Sequence, residues 1–96
     1  MAIEVRIPTI LRTYTGGEKA VDGAGGTLRE LIDDLESRHT GIKDRLVEDK
    51  DGGPELRRFV NVYVNDEDVR FIGSLDAELS DGDQVVVLPA VAGGAA

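Results

Sequence analysis

No cysteine occurs in the 96 residues, so disulfide staples, thiolate metal sites and cysteine nucleophiles are excluded together. No apolar run approaches the roughly 20 residues of a membrane-spanning helix. Met1-Ala2-Ile3-Glu4 has neither the charged nor the apolar region of a signal peptide, which points to the cytoplasm. Basic side chains are outnumbered, 11 against 19 acidic, and the net charge of -8 argues against nucleic acid. The acids are scattered, as on a solvated surface that favours solubility and steers the chain towards basic partners. His39 is the only histidine; beside a helix C-terminus and without companions, it reads as a local contact, not a ligand or a base. The glycine-rich Asp22-Gly23-Ala24-Gly25-Gly26 has no Gly-Lys-Ser/Thr after it, so the groups that hold phosphate and magnesium are missing. The acids between Glu48 and Pro54 lack the glycine offset and terminal glutamate of a calcium loop.

What remains is one domain with 41% hydrophobic residues, a modest core and marginal stability. Ile3, Val5 and Ile7 alternate with Glu4 and Arg6 in a first strand that Pro8 closes. Gly16-Gly17 turns the chain into a second strand over Glu18-Lys19-Ala20-Val21. Thr27-Leu28-Arg29-Glu30 forms a capping box, with Thr27 accepting from the Glu30 N–H and the Glu30 side chain reaching back to Thr27. The helix it starts buries Leu28, Leu31, Ile32 and Leu35, spaced i, i+3, i+4 and i+7. Gly41 stops it, with Ile42 folding back on the last turn. Ile42 to Val47 makes one further helical turn, and Glu48 to Pro54 is expected as a mobile surface loop. Phe59 to Val64 is a strand with Val60, Val62 and Val64 on one face and Phe59, Asn61 and Tyr63 on the other. After the polar turn Asn65-Asp66-Glu67-Asp68, Val69-Arg70-Phe71 returns as a short strand, and Leu75 and Leu79 fill gaps under an irregular crossover.

Asp81-Gly82-Asp83 leads into Val85-Val86-Val87-Leu88, apolar without a break, as in a central strand with neighbours on both sides. The fold class is α+β: a mixed sheet of about five strands with one main helix packed on one face. The other face is left open. Strand parity sends Val85 and Val87 inward and Val86 and Leu88 outward beside Phe59 and Tyr63, a docking surface that Arg57 and Arg58 would rim. Pro89 ends the ladder, because it has no N–H to donate. Residues 1–89 are read as the folded domain and 90–96 as a flexible tail in which no side chain exceeds valine. Such a tail can thread a narrow channel, and from Pro89 to Gly94 it reaches roughly 20 Å.

The order of elements, with Leu88-Pro89-Ala90-Val91-Ala92-Gly93-Gly94 at its end, resembles the β-grasp, ubiquitin-like sulfur carriers of the MoaD/ThiS family. Ile7-Pro8-Thr9-Ile10-Leu11-Arg12 and Phe59 through Phe71 are similar to the actinobacterial branch that serves cysteine biosynthesis. That resemblance implies a protein cosubstrate, not an enzyme. An E1-like partner would adenylate the Gly94 carboxylate with ATP, and transferred sulfur would displace AMP to leave a thiocarboxylate. Val91, Ala92 and Gly93 would thread the partner's channel. A pyridoxal-phosphate-dependent cysteine synthase would accept the sulfur, and a zinc metalloprotease would release the product; ATP, zinc and pyridoxal phosphate belong to those partners. The family acts through a terminal glycine, whereas Ala95-Ala96 follow Gly94 here, so cleavage between Gly94 and Ala95 is expected. Sulfur donation to molybdopterin, thiamine or thiosugar-type metabolites, protein modification through Gly94, and a non-covalent β-grasp interaction domain with an inert tail remain open alternatives.

Overall fold

The architecture follows from where the chain can bury an uninterrupted apolar face. A computed structural model describes residues 3–57 and 60–89. Its strands are β1 (Ile3–Arg6), β2 (Ala20–Gly23), β3 (Val47–Lys50), β4 (Gly53–Leu56), β5 (Val60–Val64), β6 (Glu67–Asp68) and β7 (Gln84–Pro89), with helices α1 (Leu28–Arg38) and α2 (Lys43–Leu46). Five strands form one sheet in the order β2-β1-β7-β5-β6. β7 runs parallel to β1 and antiparallel to β5, so the most apolar segment lies at the centre of a mixed sheet. This is the expected β-grasp arrangement, and α1 covers one face. Leu28, Leu31, Ile32 and Leu35 are buried against Ile3, Val5, Val62, Val85 and Val87 in a single core.

Thr27 caps α1, its Oγ1 accepting from the Glu30 N–H at 3.3 Å. The reciprocal half of the expected box differs: the Glu30 carboxylate accepts from the Gly26 N–H at 2.7 Å. The entry to the helix is drawn against the crossover by a Thr27–Glu78 bridge, which places the preceding amide under the carboxylate.

Three further expectations are corrected. The segment expected as a mobile loop is the hairpin β3–β4, whose register sets buried Val47 opposite buried Leu56. That closing pair anchors both strands to the core although the residues between them are polar. The second strand lies two residues later than read, because a 3-10 stretch over Thr9–Thr15 and the Gly16-Gly17 turn consume the intervening chain. Gly23 then packs beneath the helix, where an added Cβ would fall 2.5 Å from Leu31 Cδ1. Val69-Arg70-Phe71 is a 3-10 turn, not a strand, because Asp68 Oδ1 accepts from the Arg70 N–H at 2.9 Å and curls the chain.

Candidate docking face at the root of the tail

β7 alternates as strand parity requires: Val85 and Val87 are buried, whereas Leu88 is 46% exposed and Val86 partly so. Its ladder with β5 places Tyr63 opposite Val86 and Asn61 opposite Leu88. On the other side Arg6 stands opposite Val86. Tyr63, Val86 and Leu88, with Asp66, line a shallow cleft of about 270 Å³ on the open face. The last pair of the ladder joins Pro89 to Val60, so the cleft lies beside the point where the chain leaves the sheet.

The far end of this face is pinned by Asn65. Its backbone and that of Asp66 adopt positive φ, 50° and 73°, in the two-residue turn between β5 and β6, a conformation Asn and Asp tolerate better than most residues. From that position Asn65 Nδ2 donates to Asp83 Oδ1 at 3.0 Å, and Asn65 Oδ1 accepts from the Gln84 N–H at 3.0 Å. Asp83 also accepts from the Ser80 N–H at 2.8 Å. That backbone hydrogen bond, seconded by Asn65, holds the Asp83 carboxyl below its ordinary range. β7 is therefore fixed in register before its outward side chains reach the cleft.

Arg70 reaches β5 from the turn after β6. Its guanidinium donates to Asn61 Oδ1 at 3.1 Å and to the carbonyls of Val60 and Arg57 at 2.8 and 3.0 Å. Arg57 turns elsewhere: Nε donates to the Asp44 carbonyl at 2.7 Å and Nη1 stands 4.0 Å from Glu48 Oε1. Sequence reasoning placed Arg70 in a strand and missed its role. Only the 3-10 turn aims it at β5, and no periodic signal marks that turn. Among the other expected site residues, Arg58, Phe59, Val91, Ala92, Gly93, Gly94 and Ala95 lie outside the described residues, as does the expected domain boundary at 89/90.

Residues 5–94 match the model of the ThiS family. The chain is 55% identical over 94 residues to the sulfur carrier protein CysO of Mycobacterium tuberculosis, covering 98% of this chain and 100% of that protein. It is 36% identical over 94 residues to a putative sulfur carrier protein of Archaeoglobus fulgidus, with the same coverage. Among solved structures, a chain of the Amycolatopsis orientalis BexX/CysO complex superposes with a TM-score of 0.89 at 63% identity, covering 97% of this chain and 100% of that one.

Proposed function

The chain belongs to the ThiS family, and on that footing we propose that it is a sulfur carrier of cysteine biosynthesis acting in the cytoplasm through Gly94. The observation that carries this reading is the 55% identity, over nearly the whole chain, to a protein named as a sulfur carrier. The geometry supports it, because the tail is rooted on the central strand beside an open apolar cleft.

The chemistry follows from the weakness of a carboxylate as an electrophile. An E1-like enzyme joins the Gly94 carboxylate to the α-phosphate of ATP, releasing pyrophosphate. A sulfur nucleophile then attacks the acyl carbon, the bond to AMP breaks, and the carrier is left as a thiocarboxylate. That group is a soft nucleophile, suited to a pyridoxal-phosphate-bound acceptor on a cysteine synthase, after which a zinc metalloprotease frees the product. This chain contributes docking and delivery only. Val86, Leu88 and Tyr63 seat the partner, while Val91, Ala92 and Gly93 thread its channel.

Incubation with an E1-like enzyme, ATP and a sulfur source, read by intact mass, tests the proposal. Exchange of one oxygen for sulfur on a chain ending at Gly94 is expected. An adduct linked to a lysine instead would make the chain a protein modifier, and an unchanged mass would remove the carrier reading.

A further inference from the structure

A second concavity opens at the root of the tail, on the opposite side of the sheet from the Tyr63–Leu88 cleft. It holds about 540 Å³, and Ile10, Leu11, Tyr14, Arg45, Arg57 and Val60 contribute to its walls. Val60 shares its side of β5 with buried Val62 and Val64, so this groove belongs to the helix side of the sheet. Val60 also pairs with Pro89. The exit of the chain is therefore flanked by the open cleft on one side and this groove on the other.

The groove has two properties that a simple gap between elements would lack. One is an apolar wall exposed without need: Ile10 is 66% accessible on the 3-10 stretch that follows β1. The other is a pair of guanidinium groups whose planes are fixed through their inner nitrogens. Arg45 Nε donates to Tyr14 Oη at 2.7 Å, and its Cζ lies 5.8 Å from the centre of that ring. Arg57 Nε is held at 2.7 Å by the Asp44 carbonyl, and its Nη1 stands 4.0 Å from the Glu48 carboxylate, the outer limit of an ion pair. Anchoring through Nε orients the terminal N–H groups in advance, and a pre-set guanidinium fork is matched by a carboxylate. In a molecule carrying a net charge of -8, two arginines line one groove, with Asp44 beside Arg45 and Glu48 beside Arg57.

We propose that this groove is a second docking site, taking an acidic segment of the activating enzyme: a carboxylate meets the forks of Arg45 and Arg57 while an adjoining aliphatic side chain lies against Ile10 and Val60. The proposal rests on the sulfur-carrier reading for the identity of the partner. A partner engaged on both the cleft and the groove would enclose the end of the sheet and fix the direction in which the tail leaves. Contact on the open face alone would leave that direction free. Electrostatic contact at the groove also sets register, since a partner docked the wrong way round would bring its acids against the acidic remainder of the surface.

The test measures affinity and chemistry separately, using the E1-like enzyme encoded in the same genome as the probe. Binding of the full chain, of R45Q/R57Q and of I10D is followed by calorimetry at low and high salt, and conversion is read by intact mass on the same three chains ending at Gly94. The three altered side chains are exposed, so the variants should keep the wild-type melting temperature. At low salt the double variant is expected to bind about tenfold more weakly and to lose most of the salt dependence seen in the wild type, and I10D to bind about fivefold more weakly. Affinities within about twofold of wild type for both variants would overturn the groove even if sulfur is still transferred. A chain ending at Gly94 that binds in the expected salt-dependent way but gains no sulfur would sink the carrier reading and leave the groove standing.

Discussion

Val86 and Val87 are neighbours in the chain with opposite environments: one lines the open cleft, the other is 4% exposed beneath α1. A carboxylate at each position therefore meets a different penalty. Val87→Asp places an unpaired charge in the core, which costs about 3–5 kcal/mol, a large share of the stability of a domain this size. Val86→Asp leaves the charge in water until a partner covers it. The expected result is a strongly lowered melting temperature for Val87→Asp, and a normal melt with at least about tenfold weaker binding to the activating enzyme for Val86→Asp. A reversed pattern would mean that the cleft is not the docking face. Gly93 gives the complementary case. Every core side chain among the described residues lies between Ile3 and Val87, so Gly93→Val should leave the melt unchanged. It should slow sulfuration by at least about tenfold, because a branched Cβ widens the chain and restricts φ where the channel closes on backbone alone. Normal turnover of this variant would remove the narrow-channel argument.

At the scale of elements, the junction between α1 and α2 depends on one carboxylate. Glu36 accepts from the Gly41 N–H at 3.0 and 3.2 Å and from the Lys43 N–H at 2.9 Å, tying the end of one helix to the start of the next. Gly41 is suited to the bend because φ is +100° and because a Cβ there would lie 3.0 Å from Tyr14 Cε1. The hydrogen bonds from Gly41 and then Lys43 hold the Glu36 carboxyl below its ordinary value of 4.5. The stabilisation is therefore complete above that value and disappears as pH falls through the lower, folded one. Glu36→Gln should melt below wild type at pH 7, with the gap narrowing as the wild-type carboxyl protonates in acid. A gap independent of pH from neutral to strongly acidic solution would show that the ionised form is not what holds the junction.

The same scale explains which elements were legible in the sequence. β1, α1 and β7 were readable because period 2, period 3.6 or continuous apolarity spans their whole length. β3 and β4 were not, because their contact with the core comes through Val47 and Leu56 at the open end of the hairpin, with charged residues between. In the candidate site, the outward set Tyr63, Val86 and Leu88 followed from parity alone. The paths of Arg57 and Arg70 did not, since a long side chain goes where the fold offers acceptors, here the carbonyls of Asp44, Arg57 and Val60.

For the whole molecule, residues 90–96 follow in the chain directly on the central strand and not on an edge strand. Ladders to β1 and β5 hold β7 on both sides, so a partner that grips the tail meets a rigid base. Rigidity at the base makes the position of the reacting carboxylate depend on the number of residues beyond Pro89. The family match ends at Gly94, yet here the Gly94 carbonyl is bonded to Ala95. Any chain end beyond Gly94 stands at least two residues further on, about 7 Å or more of extended chain. An active site that positions its reacting atoms within a fraction of an ångström would not transfer its chemistry across that distance. Cleavage of the Gly94–Ala95 bond by a zinc metalloprotease, through a metal-activated water, would restore the length. The full chain and a chain ending at Gly94 should therefore be compared with one activating enzyme and one sulfur donor, again by intact mass. Thiocarboxylate is expected only on the shorter chain, with the longer one converted after treatment with the protease. Equal conversion of both, with sulfur retained on Ala96, would show that the activating site measures something other than length, and the processing step would fall.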